Sequence, residues 1–332
     1  MVTIKDIALE AGVSISTVSK ALNGSYTISP ERTEEIKQVA QRLGYRPNAR
    51  AQMLARKATR SIVFLAKLGR NIAFENPHMF EILSGAEAAL REKGYGVTLQ
   101  HCDTKDACPL SKKIMDSKSA DGLLIHASVV TKELSLMLSR EEVPHMIVGK
   151  PDFANSLCWI DNNNLLSGEI AARKLKELGH KNIVLVGSFE DDHISEDRLK
   201  GVQGELELAA IFRGASTIEE GRRMGLEVLE LPERATAVIC VNNFLAAGCL
   251  RAFTSRHVKV PEDISLITFD DYPFAKFTDP PLTAVSIDLH DLGVQAGKLL
   301  VSKIRKPSLH VQSYSTLPVL AERQSIGMLG KE

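Results

Sequence analysis

From residue 60 onward, short apolar runs alternate with stretches whose apolar positions recur every three to four residues. SIVFLA precedes MFEILSGAEAALREKG, YGVTLQ precedes a helical pattern near 110–117, and GLLIH and HMIVG follow. A second set opens with LLSGEIAARKLKELG and continues through NIVLVG, TAVICV and ISLITF, with helical patterns between them. Short apolar runs bounded by turn residues read as buried strands. Strands alternating with helices predict parallel sheets covered on both faces, and two such sets predict two doubly wound units. Ligands of open α/β sheets sit beyond the carboxyl ends of the strands, so two facing units place a binding cleft between them.

The first sixty residues follow a different rhythm. Thr3, with Asp6 three residues on, opens a helix of about Ile4–Ala11 in the manner of a capping box, and Gly12 stops it. Ser14 caps a second helix of about Ile15–Asn23. Ser29-Pro30-Glu31 opens a third that closes at Gly44. Two short helices joined by a glycine-containing turn describe a helix-turn-helix. Ile4, Ile7, Ala8, Val13, Val18, Leu22, Ile36 and Val39 supply its small core. The second helix then turns Ile15, Ser16, Ser19 and Lys20 outward near its N-terminal half, where a recognition helix meets base edges. Many enzymes hold helix pairs of this kind that bind nothing, so the geometry alone leaves both readings open.

Charge sharpens the division. The whole chain is neutral, yet residues 1–60 carry +5 and the remainder −5. A basic head on a mildly acidic body is the footprint expected of a nucleic-acid module joined to something else. The N-terminus is charged by its fifth residue, which excludes a signal peptide, and no apolar run approaches the ~20 residues of a spanning helix. Five scattered cysteines without a C-x-x-C pair point to free thiols in a reducing compartment, hence the cytoplasm, and away from a zinc site. Cys102, in His101-Cys102-Asp103, has no base at a readable spacing and is expected at a strand end. The glycines of Gly94-Tyr95-Gly96 precede a strand, the wrong order for a dinucleotide loop. No catalytic residue, metal or cofactor is expected, and the chain is read as a non-enzyme without a membrane partner.

The run TIKDIALEAGVSISTVSKALNG, followed by ISPERTEEIKQVAQRLGYRPNARAQMLARKATRSI, resembles the start of the lactose-repressor (LacI/GalR) family over about sixty residues without a gap. In the body, VPHMIVGKP, WIDNNNLLSGEIAARKLKELGHKNIVLV, EDRLKG, AVICVNNFLAAGCL and ISLITFDDYPFAKFTDPPLTAVSIDLHDLG resemble that family's sensor, which is similar in fold to periplasmic sugar-binding proteins. The resemblance implies an N-terminal all-α helix-turn-helix module plus hinge helix, then an α/β sensor of two doubly wound parallel-sheet subdomains. The head is placed at 1–47, hinge helix and linker at 48–59, and the effector-binding and dimerisation domain at 60–332. The N-subdomain takes about 60–160 and 289–317, the C-subdomain about 161–288 and 318–330, with crossings near Ile160-Asp161, Ile287-Asp288 and Pro318.

The same resemblance turns Ile15, Ser16 and Lys20 to the major groove, with Lys20 suited to a guanine. It gives Arg50, with Arg56 and Lys57, to phosphates and makes Leu54 the wedge that enters a central base step from the minor groove. Arg198, Asn242 and Asp270 fall on positions that hydrogen-bond an effector. Asp161 sits at a crossing. Trp159 before it is read either as a stacking face for a sugar or as a core residue, and Phe74 and Asn76 follow the first sensor strand as closers of the cleft. Two departures stand out: Asn242-Asn243 replaces the usual Asn-Asp, and the stretch 198–217 is about ten residues short. VGKP, EDRLKG and the long FDDYPFAKF run most resemble maltose-operon regulators of Gram-positive bacteria, which leans the effector to maltose or a related α-glucoside. The expected partners are a pseudo-palindromic operator, a sugar effector and a second copy of the chain. The alternatives are a carbon-catabolite-type regulator controlled by a phosphorylated carrier protein, or a sugar-binding protein that touches no DNA.

Overall fold

A computed structural model describes residues 2–22, 27–45, 58–69, 77–189 and 193–329. The head is three helices, α1 (Ile4–Glu10), α2 (Ile15–Leu22) and α3 (Pro30–Arg42). Asp6 Oδ2 accepts from Thr3 N (2.8 Å) and from Thr3 Oγ1 (2.9 Å), which closes the expected box and holds the Asp6 carboxyl below its ordinary range. Ser14 Oγ accepts from Thr17 N, and Ser29 Oγ from Arg32 N ahead of Pro30. Gly12 turns the chain at a φ of +62°, which a side chain would resist. Ile7, Ala8, Val18, Ala21, Ile36 and Val39 meet in the middle of the three helices.

The body holds two six-stranded sheets. The first is built from β1 (Ser61–Ala66), β2 (Gly96–His101), β3 (Gly122–His126), β4 (His145–Val148), β5 (Trp159–Asp161) and β11 (Gln312–Tyr314), in the order β11-β5-β4-β3-β1-β2 and parallel throughout. On one face lie α4 (Pro77–Glu92) and α11 (Leu289–Arg305), and on the other α5 (Ala107–Asp116) and α6 (Lys132–Arg140).

The second sheet contains β6 (Ile183–Gly187), β7 (Ala210–Arg213), β8 (Ala237–Cys240), β9 (Ser265–Phe269), β10 (Thr283–Ser286) and β12 (Val319–Ala321), in the order β12-β10-β9-β8-β6-β7. Only β12 runs antiparallel to its neighbour. Its helices are α7 (Asn164–Glu177), α8 (His193–Glu205), α9 (Ile218–Leu229) and α10 (Asn243–Ser255). The central strands of both sheets are buried along their length, as apolar runs flanked by helices on both faces require. The chain passes from the first sheet to the second after β5, returns after β10 to form α11 against α4, and passes over again between β11 and β12. We call the two halves the first and second lobes.

Helices on one face pack through glycine. A Cβ on Gly85 would lie 1.9 Å from His290 O, and one on Gly293 2.0 Å from Ile82 O, so α4 and α11 touch backbone to backbone. Gly168 and Gly201 do the same for α7 and α8, and Gly221 and Gly248 for α9 and α10.

Candidate functional site

In the head, α2 buries Val18 and Ala21 and leaves Ile15, Ser16 and Lys20 exposed, with Ser19 half-buried between them. An exposed isoleucine (46 %) beside two polar residues on the first turns is a surface suited to base edges. Arg50 and Leu54 lie outside the described residues, as do Phe74 and Asn76.

In the body, polar side chains converge at the carboxyl ends of the strands of the second lobe. Arg198, from α8, is 3 % exposed and Asp270, just past β9, is 5 % exposed. The guanidinium meets the carboxylate side-on, Nη1 to Oδ2 at 3.0 Å and Nη2 to Oδ1 at 2.8 Å. Nη1 also donates to Val241 O (2.6 Å) and Nε to Asn164 Oδ1 (3.1 Å), and the guanidinium stacks 4.6 Å over the Phe269 ring. The fork expected to reach a ligand is therefore closed on its own carboxylate. Arg198 positions Asp270 and neutralises it, and the free lone pairs of Asp270 are what the site presents. Burial pushes the Asp270 carboxyl up, but Arg198, with His78 behind it, outweighs burial and holds it below its ordinary value.

Asp270 adopts a φ of +66°, an uncommon conformation that asparagine and aspartate tolerate best. Its backbone is held from three sides: its N–H donates to Val285 O (2.9 Å), and its carbonyl accepts from Tyr272 N (2.8 Å) and Asn243 Nδ2 (2.5 Å). Asn243 Nδ2 donates to Phe269 O as well (2.8 Å). The departure from Asn-Asp thus has a local reason, since a carboxylate here would face two carbonyl oxygens with no proton to offer. The Asn243 Oδ1 is buried without a hydrogen-bond partner among the described atoms.

Of the two readings of Trp159 the core one holds, and Asn242 and Asp161 are already engaged in structural contacts. Trp159 is 8 % exposed, packed in the first lobe's core with Leu157 and Val63 and edge-on to Tyr314 at 5.6 Å. It is a core residue, because β5 turns it under the α5–α6 layer, and it offers no face to a sugar. Asn242 caps α10: its Oδ1 accepts from Leu245 N (3.0 Å) and its Nδ2 donates to Ser216 Oγ (2.9 Å). Its amide serves the helix end first. Asp161 ties the first crossing together, Oδ1 accepting from Asn162 N (2.7 Å) and Oδ2 from Lys150 N (3.1 Å), while burial pushes its carboxyl up.

Residues with no motif of their own complete the site. His78, in the first turn of α4 on the other lobe, brings Nε2 to 3.7 Å from Asp270 Oδ2 and packs its ring 4.6 Å from Tyr272. Burial lowers its pKa against the pull of Asp270, and Arg198 lowers it further. His126, at the end of β3, is lowered to about 4 by burial and by His78. A second cross-lobe pair, His193 Nε2 to Asp152 Oδ2 at 3.1 Å, lies at the surface. Helical periodicity cannot flag such residues, because an isolated histidine in a helix's first turn looks like any capping or solvated residue. An open hollow of about 450 Å³, lined by Lys181, Asn182, Glu207 and Glu233 among others, lies at the amino ends of β6 and β7, the wrong end for a ligand of this architecture. Among the described residues no helix is long and apolar enough to cross a membrane, and no cluster of three or more His, Cys, Asp or Glu could hold a metal ion. The Cys102 thiol is buried, and burial pushes its pKa up.

Residues 3–48 match the model of bacterial regulatory proteins of the lacI family, and residues 172–326 match the periplasmic binding protein-like domain. The HTH-type transcriptional repressor PurR of Haemophilus influenzae (strain PittEE) is 30 % identical over 333 residues, covering 97 % of each chain. The ribose operon repressor of Escherichia coli (strain K12) is 30 % identical over 336 residues, covering 98 % of this chain and all of that one. Among solved structures, the lac repressor dimer bound to operator and the anti-inducer ONPF matches with a TM-score of 0.80 at 21 % identity, over 98 % of this chain and 99 % of that one. A complex of the regulator CelR with cellobiose matches with a TM-score of 0.72 at 25 % identity, over 98 % and 100 %.

Proposed function

The chain belongs to the lacI family of bacterial regulatory proteins and is a DNA-binding transcriptional repressor; we propose that a small, neutral, polyhydroxylated molecule, a sugar, sets its hold on the operator. The observation that carries the effector reading is the buried Arg198–Asp270 pair at the carboxyl ends of the second lobe's strands. Its charges cancel, and what it offers a ligand is an oriented acceptor, which suits a hydroxyl better than an anion. The lean towards maltose or a related α-glucoside gains no support from the relatives, among them a ribose operon repressor and a structure with cellobiose.

The rest of the mechanism follows the lac repressor dimer on its operator. Two copies set two α2 helices into successive major grooves of a pseudo-palindrome, Ile15, Ser16, Ser19 and Lys20 reading bases. Arg50 holds phosphates, and Leu54 enters the minor groove at the centre. Effector binding changes how the lobes sit, and the hinge carries the change to the DNA. The protein works in the cytoplasm by binding and not by catalysis.

The full-length protein, used to select fragments from the genomic DNA of its source, is expected to enrich one pseudo-palindromic motif. Lys20→Ala should then weaken binding to it by about tenfold or more, the worth of one base contact. Failure to enrich any sequence would sink the repressor reading. On the selected fragment, a sugar that shifts the protein's thermal midpoint should also change its affinity for DNA.

A further inference from the structure

The two ends of the body carry opposite charge. The lobes meet through the carboxyl ends of their strands, where His78 faces Asp270 and His193 pairs with Asp152. Their amino ends therefore point away from each other. The head is tied to the amino end of the first lobe: Thr59 N, Thr59 Oγ1 and Arg60 N all donate to the Asp121 carboxylate, and the chain then enters β1 at Ser61. Residues 46–57 leave the head a tether of at most roughly 45 Å between Tyr45 and Ala58.

Around that entry stand exposed cations. Arg60 lies over the Tyr95 ring, 5.0 Å from its centroid, with Nη1 donating to Lys93 O (3.1 Å). Lys93 is in the turn into β2 and Lys118 in the turn into β3. Arg305 and Lys306 end α11, whose Leu300 and Ile304 lie against Gly122 at the start of β3. Glu92 and Asp116 offset part of this charge, and Glu141 is taken by Lys112 (2.9 Å).

Helix dipoles do not account for the pattern. Cations are favoured at helix C-termini, and α4, α5 and α11 end here. The helices α8, α9 and α10 end in the same way at the amino ends of the second sheet, yet the turns there carry Glu207, Glu230, Glu233, Glu262 and Asp263. Arg234 and Arg256 are already engaged there with Asp263 and Glu230. The end that carries the head is basic and the remote end acidic.

Resting on the repressor reading above, we propose that the amino-end face of the first lobe is a further DNA-contacting surface, on which Lys118, Arg305 and Lys306 engage phosphates of the operator backbone and read no bases. A phosphodiester offers a negative charge and acceptors, which match these donors. Exposed charges act over only about 10 Å at ~0.1 M salt, so the face must lie close against the duplex to contribute. A dimer brings two such faces to the operator. They add hold without adding sequence preference.

The test titrates full-length protein with its selected operator fragment between about 50 and 200 mM salt, where each phosphate neutralised contributes about 0.9 to the slope of log K against log [salt]. The triple variant Lys118→Gln/Arg305→Gln/Lys306→Gln is expected to lower that slope by about 2 and to bind about tenfold or more weakly at ~0.1 M salt. Its preference for the operator over a single-base variant should stay at the wild-type ratio. The exchange Lys118→Arg/Arg305→Lys/Lys306→Arg, which keeps the charges, should restore the slope. Lys67→Gln/Lys105→Gln/Lys132→Gln removes the same charge from the opposite end of the first lobe and should keep the wild-type slope. All variants should melt at the wild-type midpoint. A wild-type slope in the first triple variant, or an equal loss in the opposite-end variant, would overturn the proposal and leave the repressor reading standing. A wild type that selects no DNA would sink both.

Discussion

At the scale of single residues, the site depends on a buried ion pair whose members cannot be removed one at a time. Arg198 and Asp270 lie at the strand ends of the second lobe, and each is the other's principal compensation for lost water. Removing one partner leaves a charge buried without its match, at roughly 3–5 kcal/mol. Arg198→Met and Asp270→Leu should each show a loss of that size in urea unfolding. The double variant should fall short of the summed losses by roughly 2 kcal/mol or more; additive losses would mean that the pair contributes by packing alone. His145, 3 % exposed in the first lobe, makes a complementary case. Its Nε2 accepts from Cys158 N (3.1 Å), so its proton sits on Nδ1, which donates to Val143 O (2.7 Å). Burial, opposed by the Val143 bond and aided by Lys303 and His310, lowers its pKa to about 4. The unfolded chain therefore takes up a proton below about pH 6.5 that the folded ring refuses. Stability is whole above that pH, falls as pH drops from about 6.5 to 4, and levels off below, with roughly 3 kcal/mol at stake. Thermal unfolding at pH 7.5, 6 and 5 checks this, and His145→Gln should flatten the slope; an unchanged slope would place the acid sensitivity elsewhere.

At the scale of elements, a recurrent device seats the functional residues: paired glycines bring neighbouring helices to backbone contact. The pair on α7 and α8 reaches the site directly, because a Cβ on Gly168 would lie 2.0 Å from the carbonyl oxygen of Arg198. Gly168→Ala is expected to push α8 outward, to cost roughly 1–3 kcal/mol or more, and to weaken ligand binding by moving Arg198 off Asp270. Gly204→Ala, on α8 with nothing within 4 Å of the added carbon, should be neutral or stabilise by up to about 1 kcal/mol. If the two variants unfold at the same urea concentration, the close approach carries no weight. The sequence announces the helices but not this closeness, since a helical glycine reads as a weak point until its neighbour is known. The same limit explains the site. Strands such as SIVFLA and ISLITF are legible because burial on both faces leaves only apolar choices. Arg198, Asn242 and Asp270 were legible as a set only through resemblance to a family. Pattern could not tell that Arg198 closes on Asp270, that Asn242 is a helix cap, or that Trp159 points into a core. Three-residue strands such as Gln312–Tyr314 and Val319–Ala321 carry too few positions to show a period.

At the scale of the molecule, the covalent path between the lobes runs through the crossings, and the single tryptophan stands beside one of them. Trp159 lies on β5, two residues before the first crossing, and its ring meets edge-on that of Tyr314 on β11, just before the third. A change in the angle between lobes must bend the chain at these strands, so it alters the surroundings of Trp159 although no ligand touches it. Its emission is therefore expected to shift when a sugar binds in the cleft, and Tyr314→Ala should change the size of that shift without abolishing binding. This reporter gives access to the coupling itself. If effector binding weakens the hold on DNA by some factor, the operator must weaken effector binding by the same factor, because both are legs of one thermodynamic cycle. Sugar titrations followed by Trp159 emission, with and without a saturating operator fragment, measure one leg. DNA titrations with and without saturating sugar measure the other. Equal factors are expected, on the order of 5–150-fold. A sugar that moves the emission but leaves both affinities untouched would mean that the lobes respond to the ligand and the head does not hear them, and the hinge would then have to be dropped as the link between cleft and operator.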